Sequence, residues 1–564
     1  MKKPLRLCAG VLAGASLLFA AGCALTVSTP PSVFEVKSFG DIGDGTTLDT
    51  TAINRAIAAA AAAGGGTVHF SAGTYASYSV HLKSNVVLYL DAGATLLAAD
   101  PPAEGQPGGY DAPEANAWDK YQDFGHTHWH NSLIWGENLE NIAILGPGRI
   151  FGKGLSRGNA GPRKDPLPGE PRPPRNEPPF NPVPRTAGQG GSGGGVTPET
   201  PFGYPSPRDV LPAGIGNKAI ALKNCRNVIF RDFTIFHGGH FGILATGVDN
   251  WTCDGLKIDT NRDGIDFDCC QNVRVSNCTI NSPLDDGICP KSSYGLGYLR
   301  PTENISITNC QVSGFVEGTL LDGTRKHGNA RPTGRIKCGT EANGGFHNLT
   351  ISNCIFEYCS GLALEEVDGG LLEDVTVSNL TMRDIVNAPI YLRLGARLRG
   401  PDPIAVGALR RIKIDNVVAH NVAAQSGVLI LGLPGHAIED VSLSNIFIDY
   451  AGGGTAEQAK REVPEDEKAY PEPSRHGTMP SWGMFARHVK NFSVSHVEFR
   501  TAKDDLRPTA MLDDVTDAEI DHAKFPHAAE AAGLELKSVT GLVIHQSPGL
   551  SETNRTERIE SEKL

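Results

Sequence analysis

The sequence lacks features that would mark several large classes of protein. Its 51 Lys and Arg are outnumbered by 63 Asp and Glu, which gives a formal net charge of −12. A nucleic-acid-binding chain would need a basic face, so this balance argues against such a partner. Beyond the N-terminus no apolar run is long enough to span a bilayer. No CxxC pair or His/Cys spacing indicates a metal site, and we expect no metal or other cofactor.

The N-terminal segment, residues 1–23, has the pattern of a secretory signal. Lys2, Lys3 and Arg6 precede a mostly apolar stretch, and "AAG" leads to Cys23. These small residues resemble a bacterial lipobox, which predicts that Cys23 carries a lipid; an ordinary signal peptide cut nearby is the alternative. We therefore expect an exported protein, either a periplasmic or outer-membrane-anchored lipoprotein or a secreted one.

Cysteine is concentrated in the middle of the chain. Ten of the twelve cysteines lie between positions 225 and 359. An exported compartment permits disulfides. Four of the ten, however, directly follow an Asn: Cys225, Cys278, Cys310 and Cys354. This shared context predicts that they stack inside the fold as small apolar side chains, with few disulfides.

A short apolar pattern recurs along the chain. Segments such as "NCRNVIFRDFTI", "CCQNVRVSNCTI" and "PTENISITNCQV" carry Asn at matching positions, and the shortest intervals are 22 and 23 residues. Apolar residues alternate within each copy, which is the strand period. Such self-similarity is typical of a solenoid. We predict an all-β, single-stranded, right-handed parallel β-helix with Asn ladders; a parallel α/β sheet is the alternative, disfavoured because helical stretches are few.

The repeat defines the domain organisation. The solenoid is predicted to cover residues 33–550, with a helix over Ala52–Ala63 capping its open end. A Pro/Gly-rich loop over 157–216 interrupts the pattern, either as an insertion without a role or as a wall of a substrate groove. A second insertion, 452–482, could flank the same groove. The charged tail, 551–564, is predicted to be frayed.

Acidic residues return at the repeat interval in one region. Asp285 follows Asp263 by 22 positions, which would place the two one coil apart on the same face. Asp286 reaches the same face only if Pro283 to Gly287 form a turn. One carboxylic acid and one carboxylate can hydrolyse a glycosidic bond, and a nearby like charge raises the pKa of the acid. An Asp alone is more often only a turn residue.

A basic pair lies farther along, in "TGRIKCGTE". Arg335 and Lys337 are two positions apart, so on a strand they share a face. They suit recognition of a substrate carboxylate or of sugar oxygens. Alternatively they lie on a solvated strand edge.

The order "NRD", "DD" and "RIK" on this repeat resembles glycoside hydrolase family 28, the polygalacturonase family. The opening "FGDIGDGTTLDTTAINRAI" is also similar to the family's usual N-terminal entry. The resemblance covers roughly residues 35–500 and implies an inverting, metal-independent hydrolase of pectin. It implies that Asp285 is the general acid and that Asp263 and Asp286 activate water. Arg335 and Lys337 would then bind the sugar at the cleaved bond, and Asn261 would orient Asp263.

One departure from the family affects substrate choice. The family usually has Gly-His-Gly after the "DD" coil, whereas here Glu317 stands at the position of that His. A carboxylate there would discourage an anionic sugar. Both galacturonan and rhamnogalacturonan therefore remain candidate substrates, and the insertions favour exo action on a pectic polysaccharide or oligosaccharide.

Other residues are weaker candidates for sugar contacts. His240 precedes Asp263 by 23 positions and could touch the adjacent sugar, or be a packed His. Two further groups could contact sugars or have only a structural role. The first is Glu365, Glu366, Arg393 and Arg397; the second is Trp118, Trp129 and Trp135 with His126, His128 and His130.

Two rival functions remain open. A pectate lyase on the same solenoid would use Ca²⁺ held by the acids. A non-catalytic, glycan-binding surface β-helix would have no reason to group three Asp with an Arg/Lys pair. With both ends of the solenoid capped, we expect a monomer.

Overall fold

A computed structural model of the chain describes residues 32–103, 106–157, 211–328 and 331–564. The predicted signal segment with Cys23 lies outside the described residues, and so does 158–210, which is most of the first insertion. Within the described ranges no helix is both long and apolar enough to cross a lipid bilayer.

Short strands account for most of the regular structure in the described ranges. The first half of the chain contains β1 Val33–Glu35, β2 Asp44–Leu48, β3 Gly66–Phe70, β4 Gly73–Ser77, β5 Val80–His81, β6 Val86–Leu90, β7 Ala94–Ala98, β8 Ser132–Glu137, β9 Glu140–Leu145, β10 Arg149–Phe151, β11 Lys218–Lys223, β12 Arg226–Arg231, β13 Thr234–Phe236, β14 Phe241–Thr246, β15 Asp249–Asp254, β16 Lys257–Asp259, β17 Asp263–Asp268, β18 Gln271–Ser276 and β19 Thr279–Asn281.

Longer strands follow in the second half. They are β20 Ile288–Lys291, β21 Thr302–Thr308, β22 Gln311–Ser313, β23 Lys337–Cys338, β24 Phe346–Glu357, β25 Leu362–Glu366, β26 Leu371–Arg383, β27 Ile390–Leu394, β28 Ala408–Val422, β29 Val428–Leu431, β30 Ile438–Tyr450, β31 Met484–Thr501, β32 Ala510–Asp521, β33 Leu534–His545, β34 Thr553–Arg555 and β35 Ile559–Lys563. Two α-helices, α1 Thr50–Ala62 and α2 Ala456–Ala459, and 3₁₀ turns at Val36–Phe39, Asp119–Tyr121 and Pro473–His476 complete the described elements.

The strands wind into a parallel β-helix, as the sequence predicts. Each strand pairs in parallel with the equivalent strand one coil later: Val228 lies opposite Trp251, Trp251 opposite Val273, and Val273 opposite Ile305. All four side chains are buried in the core. Each coil therefore covers the apolar face of the next one, which explains why no separate helical layer is needed.

Asn side chains form the predicted ladders at the corners of the coils. Asn85, Asn141, Asn227 and Asn250 form one run, and Asn272, Asn304 and Asn348 form another, with amide-to-carbonyl distances of 2.7–3.2 Å. All seven have φ between 53° and 63°. Asn tolerates this left-handed conformation better than most residues, so the recurring Asn marks the points where the chain turns.

The ten cysteines of the body are buried and free. Cys278, Cys310 and Cys354 stack in one column: the N–H after Cys310 donates to the Cys278 carbonyl, and the N–H after Cys354 donates to that of Cys310. Cys225 is also buried, as predicted, but it lies in a different column. The N–H of Asp249 donates to the carbonyl of Cys225, so Cys225 lies in the row of Val248, beside a different corner.

Both ends of the solenoid are covered. Helix α1 packs its buried Ile53 and Ile57 over the first coil, two residues longer at its start and one shorter at its end than predicted. The prediction of a frayed tail is wrong: β34 and β35 pair antiparallel with β33, the strand of the last coil. Ile559 is buried in the core, which holds the charged segment in place.

One lateral wall carries the candidate site. Strands β5, β8, β11, β14, β17 and β20 form a six-stranded sheet along it. The wall continues through a bridge from Ile288 to Ile336 into β23, β25, β27 and β29. Residues at equivalent positions on these strands therefore line one face, although they lie many residues apart in the sequence.

Candidate active site

The winding brings together three aspartates, which we call the acid cluster: Asp263, Asp285 and Asp286. One carboxylate oxygen from each of the three lies within 4.8 Å of the oxygens offered by the other two. Strand β17 starts at Asp263, and its Ile265 pairs with Ile288 of β20. This register places Asp286, rather than the predicted Asp285, directly opposite Asp263.

A tight turn adds Asp285 to the same cluster. The Leu284 N–H donates to the Asn261 carbonyl at 3.0 Å, and the Gly334 N–H donates to the Asp285 carbonyl at 2.8 Å. A Cβ on Gly264 would lie 2.4 Å from the Gly287 oxygen, so only glycine lets these two coils approach. The predicted turn thus allows neighbouring aspartates to face one cleft, against the alternation of a regular strand.

Asp286 is held between two buried cations. Its Oδ1 accepts a hydrogen bond from Arg335 Nε at 2.9 Å, and its Oδ2 lies 2.7 Å from Lys337 Nζ. Burial alone would raise the pKa of Asp286, but the charges of Lys337 and Arg335 hold it well below its ordinary value. Asp286 is therefore ionised throughout the ordinary pH range.

The surroundings of Asp263 shift its pKa in the opposite direction. Burial, followed by the negative charges of Asp266 and Asp285, raises the pKa of Asp263 well above its ordinary value, although Lys291 and Arg262 oppose this. Carboxylates this close cannot all be ionised cheaply, so the acid cluster retains a proton.

Asp285 is the member of the acid cluster that solvent reaches. Its side chain is 24 % exposed, and Arg262 Nη2 donates to its Oδ2 at 2.5 Å. Arg262 is the central residue of the "NRD" motif, so the motif supplies the partner of the next coil's acid. The cluster is thus open on one side, as a site for a polymeric substrate requires.

A network of buried charges lies beside the acid cluster, and two of its members, Lys291 and Glu341, were not indicated by the sequence. Lys291 Nζ is 3.7 Å from Asp266 Oδ2 and 3.4 Å from Glu341 Oε2. His126 Nε2 lies 3.3 Å from the same Asp266 oxygen. Burial opposes the charge on Glu341, yet Lys291 and His126 hold its pKa well below its ordinary value. Lys291 and Glu341 belong to no recognisable motif, so only their placement reveals them.

The second insertion contributes two side chains. Glu472 Oε2 accepts a hydrogen bond from Arg335 Nη2 at 2.8 Å. The Tyr470 hydroxyl accepts from Thr340 at 2.8 Å, and the Lys337 ammonium lies 5.6 Å from the centre of the Tyr470 ring. Residues 452–482 therefore flank the site. Their aperiodic sequence gave no indication of which residues would do so.

The contacts given by the remaining predicted site residues, His240, Asn261 and Glu317, are with groups outside the acid cluster. His240 is buried against Phe124, and burial and the charge of Arg262 lower its pKa well below the ordinary value. Asn261 is half-buried and fixes the turn through its carbonyl oxygen. The carboxylate of Glu317 pairs with His237 and Arg157. Glu317 is thus not shown beside the acid cluster, and the imidazole of His126 lies beside Asp266.

The weaker candidates have mostly structural surroundings. Glu366 Oε1 accepts the Gly370 N–H at 2.9 Å, and Arg397 pairs with Asp368. Arg393 donates to the carbonyl oxygens of Glu465 and Asp466. Trp129 is fully buried. Glu365 differs, because burial raises its pKa to about 7 and it lies 4.0 Å from Arg335.

Three carboxylates could also hold a cation. The acid cluster offers an oxygen from each of its members, as Ca²⁺ prefers. The cations Arg335, Lys337 and Arg262 already neutralise two of the three, which weakens the attraction for a metal ion. A second group, His496, Asp521 and His522, lies at a corner near the C-terminus.

Comparison with known proteins gives two family-model matches. The model described as "Rhamnogalacturonase A/epimerase, pectate lyase-like" matches residues 33–122, and the "Right handed beta helix region" model matches residues 213–329. Exo-poly-alpha-D-galacturonosidase of Dickeya chrysanthemi is 29% identical over 392 residues, which is 65% of this chain and 58% of that protein. The chain thus spans less than two thirds of that relative.

Two further similarities point the same way. A probable polygalacturonase of Vitis vinifera is 23% identical over 440 residues, covering 73% of each chain. The solved family 28 exopolygalacturonase of Yersinia enterocolitica superposes with a TM-score of 0.58 at 18% identity, over 87% of this chain and 78% of that one. These similarities support the resemblance to glycoside hydrolase family 28, the polygalacturonase-like family. The matches also establish that the parallel β-helix of this chain is right-handed.

Proposed function

We propose that this protein is a member of glycoside hydrolase family 28 that hydrolyses glycosidic bonds in a pectic polysaccharide, galacturonan or rhamnogalacturonan. The observation that carries the proposal is the acid cluster: three carboxylates within 4.8 Å, one clamped by two cations and one reached by solvent. Such a cluster supplies both a proton for the leaving oxygen and a carboxylate that activates water. The named relatives act on galacturonan, which supports this substrate class.

The electrostatics suggest a role for each aspartate. Asp286, which is kept ionised by Arg335 and Lys337, acts as the base that polarises the attacking water. Asp285 faces the cleft and donates the proton to the leaving oxygen. Asp263, whose pKa is raised, holds that proton in the free protein and helps to position the water.

The stereochemical outcome is a separate part of the proposal. Inverting glycosidases usually separate their carboxyl groups by about 6.5–9.5 Å, and retaining enzymes by about 5–5.5 Å. The acid cluster, within 4.8 Å, is tighter than either range. We infer inversion from the family resemblance, with water lying above the cluster rather than between its members. Proton NMR of the first product distinguishes the two anomers.

Exo action is supported by the second insertion. Tyr470 and Glu472 contact Lys337 and Arg335 at one side of the acid cluster, and we infer that the insertion closes one end of the substrate groove there. A groove closed at one end admits a chain terminus and not the middle of a polymer.

The direct test of the function is the variant Asp285→Asn. It removes the proposed acid while preserving size, and we expect reducing-sugar release from pectic polymers to fall by about 10²–10⁴-fold. Asp504→Asn, which changes an exposed aspartate elsewhere, is the matched control. Equal release by Asp285→Asn and the control would eliminate the assigned acid, whereas no release by the unmodified protein would favour a non-catalytic glycan-binding role.

A calcium-dependent lyase is the second candidate, favoured only by the three converging carboxylates. It would produce an unsaturated sugar that absorbs in the ultraviolet, and a chelator would abolish it. Hydrolysis predicts neither result.

We also propose export through the signal segment, with lipidation of Cys23, to a periplasmic or outer-membrane location. Mass spectrometry of the mature N-terminus from a bacterial host tests this: a lipid-modified Cys23 is expected, and cleavage at another site would contradict it.

A further inference from the structure

The second insertion places a carboxylate where a sugar carboxylate would otherwise bind. Arg335 uses Nε for Asp286 and Nη2 for Glu472, at 2.9 and 2.8 Å. Asp286 is 1 % exposed, whereas the side chain of Glu472 is 26 % exposed and comes from a loop rather than from a coil. Glu472 therefore occupies the outward-facing side of the Arg335 guanidinium.

The other cations of the site are also paired. Lys337 contacts Asp286 at 2.7 Å and lies under Tyr470. Arg262 pairs with Asp285, and Lys291 lies between Asp266 and Glu341. A galacturonate carboxylate that entered here would have to displace Glu472 and would then lie close to Asp286 and Glu365. Both the lost ion pair and the like charges oppose its binding.

We propose that Glu472 is a specificity-determining residue that makes the subsite next to the cleaved bond prefer an uncharged sugar. This inference rests on the proposed function, since it names the sugar class for the same cleft. The hydroxyl groups of rhamnose, or of a galacturonate methyl ester, can donate to the Glu472 carboxylate without breaking its pair with Arg335. Glu472 also accepts a hydrogen bond from Asn387 at 3.1 Å. The test must therefore distinguish a role in substrate specificity from bracing, in which Glu472 only holds the insertion in place.

The test compares oligosaccharides that can place either a charged or an uncharged sugar next to Glu472. Three oligosaccharides of equal length serve as probes: an oligogalacturonate, its methyl ester, and a rhamnogalacturonan fragment. Their binding is measured by calorimetry on the full chain carrying Asp285→Asn, with and without Glu472→Gln. Glu462→Gln removes the same charge from an exposed position of the same insertion and is the control.

We expect Glu472→Gln to tighten binding of the oligogalacturonate by about ten-fold, because one charge-assisted hydrogen bond to Arg335 becomes available to the sugar. The methyl ester and the rhamnogalacturonan fragment, which can each place an uncharged sugar next to Glu472, should change by less than about two-fold, and Glu462→Gln should change none of the three. Whichever of these two probes binds the Glu472 protein more tightly identifies the preferred sugar, rhamnose or esterified galacturonate.

Two results would overturn the inference. One is tighter binding of the acidic than of the esterified probe when Glu472 is present. The other is equal weakening of all three probes by Glu472→Gln, which would indicate bracing only. Failure of the proposed function has a different signature, namely no reducing-sugar release from any probe by the protein with its aspartates intact. The binding ratios still decide the role of Glu472 in that case.

Discussion

At the scale of single residues, the site depends on aspartates that have different electrostatic surroundings. Asp286 has two cations within 2.9 Å, whereas burial and neighbouring carboxylates act on Asp263. The two pKa values are therefore driven in opposite directions, as acid and base roles at one pH require. The sequence shows three similar aspartates, and only their surroundings distinguish them.

Lys337→Met provides a prediction for the base. Removing one of the cations that lower the pKa of Asp286 raises that pKa, so the carboxylate becomes protonated at a higher pH. The acidic limb of the kcat/KM profile should then move up by about one pH unit or more. The pH dependence of kcat/KM on an oligosaccharide measures this.

Lys337→Arg, which keeps the charge, is the control and should leave the acidic limb nearly unchanged. A rise in KM with no movement of the limb would mean that Lys337 acts only on substrate. Arg335 and Lys291, which also face Asp286, should limit the size of the shift.

At the scale of elements, the Asn ladders stabilise the corners of the coils. Asn304 has φ of 58°, donates to Asn272 at 3.1 Å and accepts from Asn348 at 2.7 Å. Its side chain is exposed, so burial does not explain why Asn recurs there. The backbone conformation does explain it, together with the amide hydrogen bonds.

Asn304→Val should therefore lower the free energy of unfolding by about 2–4 kcal/mol, since it combines a β-branched side chain in the left-handed region with lost hydrogen bonds. Asn304→Gly keeps the backbone unstrained and should lose only about 1 kcal/mol. Urea denaturation of both variants measures the difference. Equal losses would refute the backbone argument.

The C-terminal strands are a second element with a testable role. Strands β34 and β35 cover the edge of β33, which otherwise exposes unpaired N–H and C=O groups. A chain ending at Leu550 should self-associate, and light scattering after size exclusion should show a mass that rises with concentration. Glu557→Ala, an exposed change in the full-length tail, is the control. A truncated protein that stays monomeric would show that this edge needs no cover.

At the scale of the whole molecule, the proposed exo action depends on the second insertion, whose Tyr470 and Glu472 contact Lys337 and Arg335 beside the acid cluster. Exo action predicts that the viscosity of a pectic polymer falls slowly while reducing ends accumulate. Viscometry run in parallel with a reducing-sugar assay measures this, with an endo-acting pectinase as the reference. A rapid fall in viscosity, or a ladder of intermediate oligomers early in digestion, would contradict exo action.

Much of the architecture could be predicted from the sequence. The two-residue alternation fixed the strands, and the 22–23-residue recurrence of Asn fixed the coil, because both are local and repeat many times. The N-terminal helix was also predicted within two residues at its start. The prediction of a frayed tail was wrong, because a charged composition does not reveal that a segment pairs as a strand with the edge of the sheet.

The candidate site, too, was only partly predictable from the sequence. The motifs and the coil length placed Asp263, Asp285, Asp286, Arg335 and Lys337 on one wall. Only the tertiary structure decided that Asp286 lies opposite Asp263, and that His126, Tyr470 and Glu472 approach from other coils and loops. In a periodic segment, the repeat length itself shows which residues lie next to one another on successive coils. The position of an aperiodic loop depends only on packing contacts with residues far away in the sequence.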